Sequence, residues 1–448
     1  MIALPRLLVA LTACLFAATA VSPLEAADRP NIVLIMADDM GYECIQANGS
    51  LDHKTPNIDA LAAAGLRFEH CYAQPICTPS RVKLMTGKSN KRNYVRFGKL
   101  DRKQTTFAHL LKDAGYKTCI AGKWQLGKEV DSPQHFGFDE ALLWQHTRSG
   151  RSKENGKTFD RRFVNPQLEL NGKEQDYVNG EYGPQVCTDF ICDFIDKNSQ
   201  KPFLVYYPMI LTHCPFDPTP DSTDWDPKRL GSTTYKGDRN DPQRLFRDMV
   251  SYVDKTIGKL NMRLEKAGVR NNTLLIFVGD NGTDTPIVTN TTFGKVVGAK
   301  GQMIDAGNHV PCFVSWPGVI RKGRVVQDII DFSDILPTIC EATGTQVPAG
   351  LTIDGQSFLP QLKGETGSPR DSIYMWYSRN GAVKAARAFA RNQRYKLYES
   401  GKFFDVPNDR NEKKPLGDAS LSEEQLSIKA VLQARLDRFA DIKPVNAK

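Results

Sequence analysis

Two pairs of adjacent polar residues offer oxygen ligands with no histidine beside them. Asp38-Asp39 and Asp280-Asn281 together supply three carboxylates and one amide. Such an all-oxygen set suits a hard divalent cation, with Ca²⁺ favoured over Mg²⁺ and both over Zn²⁺. Adjacent carboxylates that held no cation would repel each other, and their pKa values would rise. The alternative interpretation is that each pair only forms a turn, as Asp and Asn commonly do.

A second candidate site lies in the run Cys77-Thr78-Pro79-Ser80-Arg81. Pro79 and Ser80 suit the first turn of a helix, so the run is predicted to open one. The unpaired N–H groups and partial positive charge of a helix N-terminus favour an anion there. Arg81, one turn further on, adds a charged fork that could neutralise an oxyanion. Taken alone, the run also fits a buried structural cysteine followed by a surface arginine.

Four short runs of β-branched and aromatic residues are predicted to be strands that position these side chains. They span residues 31–36, 116–121, 203–207 and 274–278. Helical segments, among them residues 57–64, separate the runs, which favours an α/β fold with a large, mostly parallel sheet flanked by helices. The polar clusters that end the four runs are Asp38-Asp39, Lys123-Trp124-Gln125, Thr212-His213 and Asp280-Asn281. Ligands of open α/β sheets bind outside the carboxyl ends of the strands, so these four endings predict one shared pocket.

The chain is expected to divide into three segments. Residues 1–27 are predicted to be a signal peptide, because Arg6 precedes an apolar run too short to span a bilayer comfortably. A lipid anchor at Cys14 is the alternative. Residues 28–363 form the catalytic domain, in which the proline-rich stretch 213–245 is expected to border the pocket. Residues 364–448 form a small C-terminal domain, with short alternating runs for an antiparallel sheet and a helix at 422–439.

Composition excludes several classes of protein. The 448 residues carry 59 Lys and Arg against 51 Asp and Glu, and 40% are hydrophobic, which excludes disordered, collagen-like and coiled-coil proteins. The net charge of +8 is too dilute to require nucleic acid. Without Cys14, nine of the ten cysteines remain. This odd number leaves one thiol unpaired even where disulfides are permitted, and no pairing is predicted. The many basic residues between Arg81 and Lys103 fit either a solvated surface or a rim that attracts a polyanionic substrate.

Two motifs resemble the sulfatase family of the alkaline-phosphatase superfamily. The segment from Cys77 to Gly87 meets the signature C-x-P-S-R-x-x-L-x-T-G in full. The segment from Gly115 to Gly127 meets the second signature, which closes in G-K-W-H-x-G, except that Gln125 stands in place of the histidine. Further matches cover nearly the whole mature chain and include Asn31-Ile32-Val33, Thr55-Pro56-Asn57-Ile58-Asp59, Val253-Asp254, Lys300 and Tyr395-Lys396-Leu397.

The resemblance to arylsulfatase-like, type I sulfatases implies an alkaline-phosphatase-like fold and hydrolysis of sulfuric esters. In these enzymes a separate maturation system oxidises the motif cysteine to formylglycine, and the hydrated aldehyde supplies the attacking oxygen. Cys77 would be that cysteine, and covalent catalysis would divide one difficult displacement into two easier steps.

The resemblance also assigns roles to the polar residues at the strand ends. The implied calcium ligands are Asp38, Asp39, Asp280, Asn281 and the matured residue 77. Arg81 and Lys123 would hold the hydrate and the sulfate charge, while Lys300 and His213 would clamp the sulfate. His213 is also the candidate proton donor to the leaving oxygen.

Two departures from the family pattern bear on the reaction. The histidine that Gln125 replaces is thought to take a proton when sulfate is expelled, and glutamine cannot act as a base at neutral pH. Sulfate release is therefore expected to be slow or to use another base. After Lys300, His309 stands where the family commonly has arginine, and this change is expected to affect packing rather than chemistry.

The sequence thus predicts an exported, calcium-dependent sulfuric ester hydrolase, periplasmic or secreted, that acts on sulfated carbohydrate or a similar anionic ester. One alternative is a phosphate or phosphonate ester hydrolase on the same fold. Two-zinc phosphatases of the superfamily need several histidine ligands, and Asn281 argues against them. The other alternative is a sulfated-glycan-binding protein that has lost turnover, which Gln125 motivates.

Overall fold

The computed structural model describes residues 29–446, so the predicted signal peptide and the cysteine at 14 lie outside the described residues. Its strands are β1 (Asn31–Ala37), β2 (Leu66–Tyr72), β3 (Lys117–Lys123), β4 (Glu140–Trp144), β5 (Arg151–Glu154), β6 (Lys157–Asp160), β7 (Gln167–Leu170), β8 (Lys173–Asp176), β9 (Phe203–Pro208), β10 (Thr273–Gly279), β11 (Val288–Thr291), β12 (Gly294–Val297), β13 (His309–Val310), β14 (Cys312–Ser315), β15 (Arg324–Asp331), β16 (Ile373–Tyr377), β17 (Arg387–Arg391), β18 (Tyr395–Tyr398) and β19 (Phe403–Asp405). Its helices are α1 (Pro56–Ala64), α2 (Cys77–Thr86), α3 (Asn90–Asn93), α4 (Phe107–Asp113), α5 (Ser132–His135), α6 (Gly183–Asn198), α7 (Pro242–Lys266), α8 (Asp305–Asn308), α9 (Ile335–Thr343), α10 (Leu359–Lys363) and α11 (Glu423–Asp437).

The large sheet is parallel at its centre and antiparallel towards its edges. Its strand order is β13-β2-β14-β10-β1-β9-β3-β4-β7-β8, and β15 adds to β2. The five central strands, β10, β1, β9, β3 and β4, are parallel. Four of them are the strands predicted from sequence, so the expected large, mostly parallel sheet is confirmed. The departures from it are the antiparallel pairings of β14 with β10 and β2, of β13 with β2, and of β7 with β4 and β8.

Both faces of this sheet are covered. In β1, Ile32, Leu34 and Met36 pack into one hydrophobic core. The alternate residues of β1, Val33 and Ile35, pack into a second core on the opposite face. A strand buried on both faces has a continuous apolar sequence, as β1 does. Charged groups that belong to the central strands are therefore confined to the strand ends.

The C-terminal part of the chain forms a separate antiparallel sheet of β16, β17, β18 and β19. Helix α11 covers it through Leu432 and Leu436. The Phe439 and Tyr374 rings stack with their centroids 4.1 Å apart. The expected small sheet with a terminal helix is confirmed, and the boundary at residue 364 stays a prediction.

The nine cysteines within residues 29–446 are all free and all buried. In the same part of the chain, no helix combines the length and the apolar character needed to cross a bilayer.

Candidate active site

The predicted oxygen ligands meet at the ends of two adjacent strands. Asp38 and Asp39 follow β1, Asp280 and Asn281 follow β10, and the four side chains are completely buried. The Asp39 backbone N–H donates to Asp280 Oδ1 at 3.0 Å, and Asn281 Nδ2 donates to Asp39 Oδ1 at 2.8 Å. The register of the parallel strands, which pairs Ala37 with Gly279, brings these residues together.

Cys77 is the first residue of α2 and lies against the same carboxylates. Its Sγ and one carboxylate oxygen each of Asp38 and Asp280 lie within 4.8 Å of one another. Cys77 is 1% exposed. Burial raises the pKa of its thiol, although the nearby Lys123 ammonium opposes the shift. The thiol is therefore neutral at physiological pH, and a neutral thiol is a poor nucleophile.

Three cationic side chains pair with the three carboxylates. The Nζ of Lys123 lies 2.7 Å from Asp38 Oδ2, and the Nζ of Lys300 lies 2.5 Å from Asp39 Oδ2. Arg81 Nη2 lies 3.3 Å from Asp280 Oδ2. Arg81 Nη1 also donates to the carbonyl oxygen of Lys123 at 2.8 Å, which links α2 to the end of β3.

The carboxylates differ in pKa because they differ in neighbours. Burial favours the neutral form of Asp38, but Lys123 and Arg81 outweigh burial and hold its pKa below the usual value. Burial raises the pKa of Asp39, with Lys300 opposing and the Asp38 charge adding to the shift. Burial and the Asp38 charge raise the pKa of Asp280 well above its usual value.

His213 follows β9 and faces this cluster with one ring nitrogen. Its Nε2 lies 3.8 Å from Asp39 Oδ2, and its Nδ1 lies 2.8 Å from Nη1 of Arg162. Burial, followed by the charges of Lys300 and Lys123, holds the pKa of His213 well below its usual value. The imidazole is therefore neutral.

Gln125 lies beside Cys77, as the sequence motif predicts. Its Oε1 accepts hydrogen bonds from Cys77 Sγ at 2.9 Å and from Thr78 Oγ1 at 3.1 Å. Its Nε2 donates to Oε1 of Gln145 at 3.3 Å. The amide thus holds the side chain at 77 in place and offers it a hydrogen-bond acceptor.

Two oxygens of the predicted ligand set have no hydrogen-bond partner within the described residues: Asp38 Oδ1 and Asn281 Oδ1. A buried polar atom without a partner is costly, so such atoms usually accompany a bound ion or water. Both atoms are hard oxygen donors. The residues present therefore fit an oxygen-ligated divalent cation.

The structure brings all ten predicted site residues into one cluster, and it adds residues that sequence reasoning missed. Arg162 and Gln145 lie on segments with no recognisable motif. Tyr235 is 52% exposed, and its ring centroid lies 6.1 Å from that of His213. It belongs to the proline-rich stretch 213–245, which borders the site as predicted.

The nine basic residues from Arg81 to Lys103 divide between interior and surface: three are buried, namely Arg81, Lys83 and Lys91. Lys83 is buried and lies 2.5 Å from Asp331 Oδ2, and Lys91 donates to the carbonyl oxygen of Phe439 at 2.7 Å. For the six that are partly or fully exposed, the solvated surface and the rim that attracts a polyanionic substrate both stay predictions.

The sequence matches two family models. One, described as sulfatase, matches residues 30–345. The other, described as N-sulphoglucosamine sulphohydrolase, C-terminal, matches residues 299–441. Together they span nearly all of the described chain.

Curated relatives and solved structures agree with these matches. Arylsulfatase A of Homo sapiens is 30% identical over 409 residues, which are 84% of this chain and 76% of that protein. N-acetylgalactosamine-6-sulfatase of Mus musculus is 30% identical over 366 residues, which are 76% of this chain and 68% of that protein. A solved structure in complex with its substrate D-glucosamine-2-N,6-O-disulfate has a TM-score of 0.74 and 23% identity. It covers 94% of this chain and 100% of that chain, which shows a shared fold.

Proposed function

The chain belongs to the sulfatase family and is a sulfuric ester hydrolase, and we propose that it acts on sulfated carbohydrate with a calcium ion and a formylglycine made from Cys77. The observation that carries the proposal is the convergence of Cys77, Asp38 and Asp280 ligand atoms within 4.8 Å, beside three cationic side chains. We extend the proposal to export of the chain and to a partner system that matures Cys77.

Calcium would be held by Asp38, Asp39, Asp280 and Asn281, together with the matured residue 77. The ion supplies positive charge that polarises a sulfate oxygen. Charge balance supports this proposal. When all three carboxylates are ionised, as the ligands of a cation are, they cancel the charges of Arg81, Lys123 and Lys300. The protein groups then leave no excess positive charge for an anionic ester, so the cation has to supply it.

The surroundings of residue 77 suit an oxidised side chain better than a thiol. The pKa of the thiol is raised, so cysteine itself would be a weak nucleophile. Formylglycine supplies the attacking oxygen through its hydrate. The N-terminus of α2, Lys123 and Arg81 would stabilise negative charge at this position.

Two residues beside Asp39 would bind the sulfate group. Lys300 contributes a positive charge at Asp39, and His213 presents Nε2 to the same carboxylate. Gln125 would orient a hydroxyl on residue 77 through Oε1 without removing its proton. Sulfate release is therefore the step that we expect to be slow.

The proposed leaving group is a hydroxyl oxygen of a sugar. The solved structure with a similar fold holds a sulfated glucosamine, and the half-exposed Tyr235 at the edge of this site offers an aromatic face of the kind that packs on apolar ring faces. Sulfated mono- and oligosaccharides are therefore the substrates to assay.

Mass analysis of the peptide that carries residue 77 tests the proposal directly. After co-expression with a formylglycine-generating system, the residue should have the mass of the aldehyde or its hydrate. A peptide that stays a thiol while the protein releases sulfate would refute the assigned nucleophile.

Chelation tests the metal. Desulfation of sulfated sugars should fall after the protein is treated with a calcium chelator and return when Ca²⁺ is added. Undiminished activity without metal would refute the calcium role. Matched sulfate and phosphonate esters should be assayed together, since faster phosphonate cleavage would favour the alternative hydrolase.

A further inference from the structure

Arg162 is buried beside the predicted site, and its contacts with Asp160 and Trp144 fix its position. Its Nε and Nη2 donate to Asp160 Oδ1 and Oδ2, each at 2.8 Å. Its Cζ lies 4.2 Å from the centre of the Trp144 ring. Its remaining arm, Nη1, lies 2.8 Å from Nδ1 of His213. The guanidinium is planar and rigid, so the two bonds to Asp160 aim Nη1 at the histidine.

This contact selects one tautomer of His213. A guanidinium stays charged and can only donate, so Nδ1 must present its lone pair, and the imidazole proton must be on Nε2. The carbonyl oxygen of Cys214 also lies close to Nδ1 and would favour the opposite tautomer. A hydrogen bond from a charged donor is roughly twice as strong as a neutral one. The Arg162 contact therefore prevails.

We propose that Arg162 is a positioning residue that holds His213 as the Nε2–H tautomer, so that Nε2 donates a hydrogen bond to the leaving ester oxygen. The role of His213 at the substrate rests on the proposed function. The tautomer itself rests only on the contacts of Arg162. Nε2 is the ring nitrogen that faces the carboxylate cluster, and it lies 3.8 Å from Asp39 Oδ2.

The proposal also limits what His213 does to the proton. A neutral imidazole that lost its Nε2 proton would become an anion, which is unfavourable next to a departing alkoxide. His213 therefore stabilises the charge on the leaving oxygen by a hydrogen bond. The attacking oxygen of residue 77 would form the new O–S bond as the ester S–O bond breaks with its electron pair on the leaving oxygen. The proton that the attacking hydroxyl releases to solvent balances the proton that solvent gives to the leaving oxygen to complete the alcohol.

Nitrogen NMR tests the tautomer without any assay of activity. The chain has seven histidines, so ¹⁵N-histidine labelling gives few signals. The His213 signals are those that disappear in the His213→Gln variant. In the unsubstituted protein, His213 should show an unprotonated Nδ1 and a protonated Nε2. In Arg162→Met, the proton should move to Nδ1 and bond the Cys214 carbonyl. A protonated Nδ1 in the unsubstituted protein would overturn the proposal.

Kinetics with two kinds of leaving group test the consequence. Arg162→Met should lower kcat/KM for a sulfated sugar on the order of 10²-fold, the loss typical of one misplaced hydrogen-bond donor. An aryl sulfate with a good leaving group should lose much less. Arg161→Met is the matched control: Arg161 is 5% exposed and contacts Asn165 and Glu154 but not His213. Equal losses on both substrates would contradict the positioning role.

A double-mutant cycle separates positioning from folding. If Arg162 acts through His213, adding Arg162→Met to the His213→Gln variant should lower kcat/KM for the sulfated sugar almost no further. Additive losses would show that Arg162 only supports the fold. Because the NMR experiment needs no substrate, a failure of the proposed sulfatase mechanism would leave the tautomer result interpretable.

Discussion

At the scale of single residues, Gln125 is the side chain that most changes the expected chemistry. It occupies the place beside Cys77 where the related signature has histidine, and its Oε1 already accepts two hydrogen bonds. Glutamine can orient a hydroxyl, but it cannot carry away a proton. In the proposed mechanism, Gln125 would therefore orient the side chain at 77 but would not speed the release of sulfate.

Gln125→His should accelerate turnover. A histidine at this position could act as a base when sulfate is expelled, and a positioned base contributes on the order of 10²-fold or more. We expect kcat to rise with little change in KM, and an initial burst of alcohol release to disappear. Stopped-flow measurement on an aryl sulfate checks both.

Gln145→His provides the control for that substitution. Gln145 bonds Gln125 Nε2 but lies one contact further from Cys77, so a base there should not raise kcat. If neither variant changes kcat and the unsubstituted enzyme shows no burst, sulfate release is not the slow step.

At the scale of elements, the C-terminal sheet supports the loop that carries Lys300. Lys396 of β18 is completely buried, donates to the carbonyl oxygen of Met303, and lies 2.8 Å from Glu412 Oε1. Tyr398 OH donates to Glu412 Oε2 at 2.5 Å. Burial lowers the pKa of Lys396 to about 8, with Glu412 opposing the shift.

Lys396→Met should destabilise the protein by about 3–5 kcal/mol, because the buried Glu412 carboxylate would lose its cation and keep only the hydrogen bond from Tyr398 OH. Denaturant unfolding checks this value. Lys396→Met combined with Glu412→Gln removes both charges and should recover most of the stability. The folded double variant should still show a raised KM, since the Met303 carbonyl has lost its only charged donor and keeps the neutral donors Asn308 Nδ2 and Tyr398 OH. An unchanged KM would show that the C-terminal sheet does not position the Lys300 loop.

The sequence predicted the elements that local pattern determines. Strands β1, β9 and β10 were expected within one or two residues of their bounds, because continuous apolar runs followed by Asp, His or Asn are distinctive. The hairpins β5–β6 and β7–β8 were missed, because their strands are short and largely polar. Arg162 was missed because its partner His213 lies 51 residues away in the sequence. The residues on either side of Arg162 also lack the hydrophobic periodicity that would predict a helix or a strand there.

At the scale of the whole molecule, the described residues are held together by their hydrophobic cores and contain no disulfide bond. The nine cysteines of residues 29–446 are buried and unpaired, although the sequence predicts an exported protein. Burial raises the pKa of Cys71 and Cys119 well above the usual value, and raises that of Cys187 and Cys340 to about 12.

These thiols predict a loss of stability at alkaline pH. Above about pH 8.5, thiols ionise in the unfolded chain but stay protonated in the folded one. The folded state then binds more protons, so the free energy of unfolding falls as pH rises, by about 1.4 kcal/mol per pH unit for each thiol. Lys396, with its lowered pKa, acts in the opposite direction but is a single group.

Urea unfolding at pH 7.5, 8.5, 9.5 and 10.5, with a reductant present, checks this prediction. The midpoint should be nearly constant up to about pH 8.5 and then fall steeply. Cys187→Ala combined with Cys340→Ala should be less stable at neutral pH, because two cavities are created, but should show a shallower alkaline decline. A urea midpoint that stays constant up to pH 10.5 would contradict the prediction that the buried thiols destabilise the fold at alkaline pH.

The burial of helix α2 imposes an order of events on biogenesis. Every residue from Cys77 to Thr86 is buried in the finished protein, so a catalyst as large as another enzyme has no access to the side chain at 77. The proposed oxidation of Cys77 would therefore have to precede packing of this helix. A polypeptide that folds first would keep an inert thiol at residue 77. The specific activity of a preparation would then depend on the fraction of chains that were modified before they folded.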